Sequence, residues 1–498
     1  MNTRKSSSLL LLTAALMLSL ACTCSLPGFL PGRPTLTPRP TLPSELPTPR
    51  PTVSDAGSTP TPGPALDPAT APLRTIGDPY APHLGNSGYD VQSYRLEFTL
   101  DPPARLVRAA VTIEALSTFS PLEEVWLDFI GFDLQSVQMD GQELAYTRAE
   151  DKLGLTLPRP IPSGQPFTLT IRYTGTPEQR RSPYIPFAPA LGMLFTETND
   201  VFVASEPDGA RFLFPCNDHP RDKAAYVFDL TVPPNTLAAA NGKRTLAAEP
   251  VYGGLRFVWE HPQPLATSMV TIVVGNYTLI ESTSPAGVPI RSYVFPDLED
   301  TFRRESATSG EMLDWMSEKF GDYPFDEFGY ATIRGLNASL ETQTLILMED
   351  RMLSEEVMSH EMAHMWFGDW VSPASWGEIW RNEGFATYFS QVWMVKDDPE
   401  DLQAVMDAYQ EAVQSNPASY PLNNPPPGEM FGMNSYLKGA LLVHDLRQTL
   451  GDEAFYGGLR LYFERYGGSS ASDAEFQEVM EEVSGQDLDA FFARWFSL

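Results

Sequence analysis

The residues best placed to do chemistry are His360 and His364, four apart in His360-Glu361-Met362-Ala363-His364. On a helix, positions i and i+4 share a face, so both imidazoles reach one ion while Glu361 stands beside an open coordination position. Glu383 follows nineteen residues after His364, within Trp380-Arg381-Asn382-Glu383-Gly384-Phe385-Ala386, where aromatic neighbours favour burial of its carboxylate. Two histidines and one carboxylate leave a position for water, the pattern of a catalytic zinc rather than a closed structural one. One Zn2+ per chain, held by His360, His364 and Glu383, would bring water toward a pKa of about 7. Glu361 would then take its proton as it attacks a carbonyl carbon. The chain has only six histidines, so a solvated helix with incidental histidines is the weaker reading.

For these side chains to converge, the segment that carries them must be helical. Ser354 is a good N-cap, Glu355 and Glu356 complement the positive helix end, and Gly368 stops the pattern, which predicts a helix over 354–367. Helical periods also predict 310–320, stopped at Gly321, then 378–395, 400–414, 435–450, 452–466 and 473–496, with a proline-rich loop over 415–433. Upstream, from 89 to 282, the period is two. Val111-Thr112-Ile113-Glu114-Ala115 and Phe167-Thr168-Leu169-Thr170-Ile171 alternate, and Asp140-Gly141 reads as a tight hairpin turn. An all-β domain over 76–285 therefore precedes a mainly helical domain over 286–498.

The amino-terminal end is of a different kind. Arg4 and Lys5 precede a mainly apolar run from Leu9 to Leu20. At 1.5 Å per residue such a run is too short for a bilayer of about 30 Å, so residues 1–21 read as a signal peptide. Ala21-Cys22 after Leu18-Ser19-Leu20 resembles a bacterial lipobox, which makes Cys22 the expected lipidation site. The chain would then be anchored by lipid at the outer face of the bacterial membrane, or released to the extracellular space. Residues 22–75 are dense in proline and threonine with no apolar period, and read as an extended tether. The formal charge of −30 excludes a nucleic-acid partner and leaves the lipid anchor as the one expected membrane contact.

The run from His360 through Gly368-Asp369-Trp370-Val371, together with Asn382-Glu383-Gly384-Phe385-Ala386, resembles the gluzincin zinc aminopeptidases, the family of membrane alanyl aminopeptidase and the leukotriene hydrolase. Glu206-Pro207-Asp208-Gly209-Ala210-Arg211, Phe214-Pro215-Cys216-Asn217-Asp218, Phe320-Gly321-Asp322-Tyr323-Pro324-Phe325 and Tyr436-Leu437-Lys438-Gly439 extend the likeness over about 89–498. The resemblance implies an N-terminal all-β, saddle-like domain packed on a thermolysin-like, α+β, mainly helical metallopeptidase domain. It also implies three roles. Glu341 would bind the free amino terminus of a peptide substrate, Glu206 would join it from the β domain, and Tyr436 would donate a hydrogen bond to the tetrahedral oxyanion. Charge-assisted hydrogen bonds from an ammonium to two carboxylates, and a phenol as oxyanion donor, are sound chemistry for those positions.

The segment Ala338-Ser339-Leu340-Glu341-Thr342 keeps only the glutamate of the family's Gly-x-Met-Glu-Asn, and Ala204 stands where a glutamine is common. The chain also ends 115 residues after Glu383, so the large C-terminal helical domain of many relatives is expected to be missing. The favoured reading is a zinc aminopeptidase. Its rivals are a zinc endopeptidase or epoxide hydrolase of the same type, and a surface binding protein with a relic zinc site.

Overall fold

The computed structural model describes residues 73–497; the expected signal peptide, Cys22 and nearly all of the tether lie outside the described residues. The expected order, a β unit and then a mainly helical α+β unit, is the observed one. The first strand, Tyr89–Asp101, buries Tyr94, Leu96, Phe98 and Leu100 in alternation, as one strand face packed on a core requires. It pairs antiparallel with Leu106–Ser117 and parallel with Lys223–Val232, at the centre of an eight-stranded sheet. A four-stranded sheet of Gly192–Phe195, Val201–Ala204, Ile272–Gly275 and Leu237–Ala240 lies deeper. Val201–Ala204 is buried at every position and delivers the chain to Glu206.

Asp140 and Gly141 both have positive φ, 50° and 80°, the conformation a two-residue hairpin demands. The second strand of that hairpin is short, Gln142–Glu143. Leu144 then turns into the core, and Ala145–Ala149 pairs with Lys152–Ile161 in a separate three-stranded sheet.

The second unit opens on a four-stranded sheet of Thr278–Thr283, Pro289–Val294, Tyr330–Ile333 and Ile346–Glu349. Its first hairpin straddles residue 285, so strand pairing carries this unit back to Thr278. Both faces of the sheet are covered. Tyr293, Ala331, Ile333 and Leu347 pack into the β unit's core, while Val294, Tyr330, Ile346 and Met348 pack into the helical core. Burial of each large side chain is worth on the order of 2 kcal/mol, so the two units are joined through a shared hydrophobic sheet rather than a loose linker.

The helices are α1 (Glu299–Glu305), α2 (Ser309–Phe320), α3 (Glu355–Ala363), α4 (Trp380–Met394), α5 (Pro399–Ser415), α6 (Gly439–Leu450), α7 (Asp452–Tyr466), α8 (Asp473–Ser484) and α9 (Asp489–Phe496). Helix α1 has no counterpart in the expectation, and three others differ from it. The helix expected over 354–367 ends at Ala363, and turns carry the chain to Gly368 at φ +117°. The one expected over 435–450 begins as a π-helical turn, Asn434–Lys438. That expected over 473–496 breaks at Gly485, which takes a left-handed conformation. No helix among the described residues is long and apolar enough to cross a membrane.

Candidate active site

Helix α3 starts where its cap dictates. Ser354 Oγ accepts from Val357 N at 3.2 Å, and Glu355 and Glu356 occupy the first turn. That start fixes the helical phase, which puts His360 and Glu361 on the buried side, with His364 following at the helix end. Glu383 lies in the first turn of α4 and is buried against them. His360 Nε2 and His364 Nε2 stand 3.2 Å apart. Glu383 Oε2 is 3.3 Å from the first and 3.6 Å from the second. Donors about 2.0–2.1 Å from a tetrahedral ion lie about 3.3–3.4 Å from one another, so these three atoms have the spacing of one metal site. His364 Nδ1 lies 3.0 Å from the Phe367 carbonyl; an N–H donated there leaves the Nε2 lone pair facing the triangle.

Electrostatics also call for a cation. Burial works to lower His364, but Glu341 and Glu383 more than offset it and hold the ring at about 10. Burial works to raise Glu383, yet His364 and His360 bring it down to about 2. Glu361 is pushed well above the carboxylate range by burial and then by Glu341. Asp369 is pushed up by burial and by Glu341 as well. Five acidic side chains, Glu206, Glu341, Glu361, Asp369 and Glu383, are thus buried in one region. Such a concentration is costly until positive charge enters it.

Glu341 sits on the loop before Ile346–Glu349, and Glu206 on the loop after Val201–Ala204. Their carboxyl groups share a hydrogen bond, and Oε1 of each is buried with no hydrogen-bond partner, that of Glu341 lying 3.7 Å from His364 Nδ1. Burial raises both carboxyls above their usual range, and Glu341 raises Glu206 further, so the pair shares a proton. Tyr436 stacks its ring on His360, centroids 5.8 Å apart and planes 18° from parallel. Burial, and then Glu383, hold its hydroxyl well above the usual phenol range, so it is a donor. Two glycines allow the approach that puts Tyr436 there. A Cβ on Gly384 would come 2.7 Å from the Gly439 backbone, so α4 and α6 meet main chain to main chain, one residue beyond Glu383 and three beyond Tyr436.

All seven site residues expected from the sequence in the described chain therefore fall in one region: His360, Glu361, His364, Glu383, Glu341, Glu206 and Tyr436. Glu378, five positions before Glu383, accepts instead from Arg381 at 2.9 Å and from Asp473 N at 3.2 Å. Sequence reasoning missed Asp369, whose two carboxylate oxygens are buried and unpartnered. It also missed Lys223 of the β unit, which donates to the Asp369 and Trp370 carbonyls at 2.7 and 3.2 Å. Neither has a spacing signal, because each reaches the site only through the turn after α3.

Comparison with known proteins identifies the family of both units. Residues 90–269 match the peptidase M1 N-terminal domain and 311–495 match the peptidase family M1 domain. Aminopeptidase M1 of Arabidopsis thaliana is 28% identical over 319 residues, 58% of this chain and 36% of that protein. Endoplasmic reticulum aminopeptidase 1 of Homo sapiens is 26% identical over 387 residues, 71% of this chain and 40% of that protein. The chain thus spans well under half the length of these two relatives. The crystal structure of an M1 zinc metallopeptidase from Deinococcus radiodurans superposes with a TM-score of 0.78 at 30% identity, covering 85% of this chain and 98% of that one. A mutant of that enzyme has been solved bound to a Tyr-Ser-Ala substrate.

Proposed function

The chain belongs to the peptidase M1 family, and we propose that it is a zinc aminopeptidase that removes residues from peptides with a free amino terminus. His360, His364 and Glu383 would hold the ion; their donor types and spacing suit zinc. A zinc ion there would polarise a carbonyl and make water easier to deprotonate. Glu361, buried beside the donor triangle, accepts the proton of the attacking water and returns it to the leaving amine. Tyr436 keeps its hydroxyl proton and donates it in a hydrogen bond to the oxyanion. Glu341 and Glu206 receive the substrate's ammonium group, which displaces the proton they share. The Tyr-Ser-Ala complex of the Deinococcus radiodurans enzyme supports a peptide as the ligand.

One observation carries the exopeptidase reading: two buried carboxyls, each with an oxygen that accepts no hydrogen bond, lie next to the metal face. They ask for a buried cation, and a peptide supplies one at its amino terminus. Acetylation removes that charge, at a cost of about 1.5–3 kcal/mol for the charge-assisted hydrogen bond and more for the stranded carboxylates. A free terminus is therefore expected to be preferred by at least roughly a hundredfold in kcat/KM, and Glu341→Ala to erase most of that preference with zinc still bound. Internal cleavage of acetylated peptides at comparable rates would make the enzyme an endopeptidase.

The proposal includes export and lipid attachment at Cys22, which rest on the sequence of residues 1–24 alone. The mass of the mature amino terminus bears on it: an unmodified Cys22 removes the anchor.

A further inference from the structure

The loop that carries Glu341 is a tight turn fastened to the β unit. Leu340 and Leu347 exchange backbone hydrogen bonds of 2.9 Å, and between them Leu345 N donates to the Thr342 carbonyl at 3.0 Å. That turn places Gln343 and Thr344 at its centre. Thr344 has φ +68°, a left-handed conformation that glycine takes freely and a β-branched residue takes only under constraint. Its hydroxyl is part of the constraint: Oγ1 accepts from Gly242 N of the β unit at 2.7 Å. The neighbouring residue is held twice. The Gln343 carbonyl accepts from Asn241 Nδ2 at 2.7 Å, and its side-chain Nε2 lies 2.7 Å from His261 Nε2 and 3.3 Å from the Pro264 carbonyl. Burial holds His261 far below the usual imidazole range, at about 3, so its ring is neutral and accepts. Both polar atoms of the Asn241 side chain are engaged, Nδ2 donating also to the Met269 carbonyl at 2.9 Å and Oδ1 accepting from Thr271 N at 2.7 Å.

The contacts of Gln343 and Thr344 with Asn241, Gly242, His261 and Pro264 all join the turn to the β unit, and the turn begins at the residue next to Glu341. A strained residue persists where the surroundings over-determine it, and such places cluster at functional sites. We propose that Asn241, His261, Gln343 and Thr344 are positioning residues that hold Glu341 against Glu206, so that the β unit sets where the substrate's amino terminus sits relative to the metal face. This rests on the reading of Glu206 and Glu341 as the ammonium site.

Thr344→Val keeps the branched side chain and the strained φ but removes the acceptor; Thr344→Ser keeps the oxygen. Both are compared with wild type on one peptide with a free amino terminus and on its acetylated form, with zinc content and Tm measured alongside. Thr344→Val is expected to lower the free-over-acetylated ratio of kcat/KM roughly tenfold. The change should be carried by KM at unchanged zinc content, and Thr344→Ser should restore it. A fold-only role would lower Tm and leave the ratio, and Thr344→Val retaining the full wild-type ratio overturns the proposal while leaving the ammonium site intact. A wild type with no preference for a free terminus overturns both together. Should Thr344→Val fail to fold, Gln343→Met, which removes the donors to His261 and Pro264, is read by the same ratio with the same two outcomes.

Discussion

Two groups of buried polar side chains stand in contrast, one inside the β unit and one at the candidate active site. Asp128 pairs with Lys152 at 2.6 Å and accepts from Asn86 at 2.9 Å and from Asp218 N at 3.0 Å. Lys152 also donates to the Gly85 carbonyl and to Asn86 Oδ1 at 2.9 and 3.0 Å. At the candidate active site, Glu206, Glu341 and Asp369 are buried as deeply, yet four of their oxygens have no hydrogen-bond partner. A folded protein leaves few buried polar atoms unsatisfied, and each exception needs a reason. The satisfied network supports the fold, whereas the unsatisfied carboxyls are provision for cations that arrive from outside. The same residue types thus serve stability in one place and function in the other, and partnership distinguishes them.

That comparison makes opposite demands on substitutions. The largest effect is expected at the candidate active site: Glu361→Gln should lower kcat by roughly 10²–10⁴ while one zinc per chain stays bound and unfolding is little changed. Loss of zinc in metal analysis would make Glu361 a ligand instead. In the β unit, Asp128→Ala strands the Lys152 ammonium in the interior, and should cost about 3–5 kcal/mol of stability in urea unfolding with activity per folded molecule retained. Activity lost from fully folded Asp128→Ala protein would join the network to the site and collapse the distinction.

Smaller effects sharpen it. Tyr436→Phe removes a donor used only when the oxyanion forms, so kcat should fall roughly 10²–10³ with KM little changed. A rise in KM at constant kcat would place Tyr436 in ground-state binding. The satisfied network has one member whose ionisation is opposed. Asp218 is raised to about 7 by burial and then by Asp128, although its Oδ1 accepts from Thr267 at 2.8 Å. Its unfolded form ionises near the ordinary 3.8, so its contribution to stability is complete below about pH 4 and is lost as pH rises to about 7. The Tm of wild type should decline relative to Asp218→Asn across that window, by at most about 1.4 kcal/mol of stability per pH unit. Parallel curves would mean that Asp218 titrates normally.

Much of this was legible in the residues themselves because the relevant order is local. The i and i+4 spacing of His360 and His364, the Ser354 cap and the Gly321 stop act within a few residues, and helical geometry follows from them. Alternation along Tyr89–Asp101 likewise announces a strand with one buried face. Where the sequence misled, a longer-range contact had won in one place and a local glycine had been overlooked in another. Leu144 leaves its hairpin for the core, and Ala145–Ala149 finds its partner in another sheet. The helix expected over 473–496 breaks at a left-handed Gly485, which periodicity counts as an ordinary polar position.

The sequence by itself determined the metal-site donors, the carboxylate beside them and the succession of a β unit and a helical unit, since each depends on spacing along one helix or on the period of one segment. Only the tertiary structure decided that Glu206 and Glu341, 135 positions apart in the chain, share a hydrogen bond. It also decided that Gly384 and Gly439 touch so that Tyr436 can lie on His360, and that Lys223 and Asn241 reach across from the β unit to the turns beside the site. Those contacts join residues far apart in the chain, and the packing of one unit on the other brings them together; no local periodicity encodes such a distance.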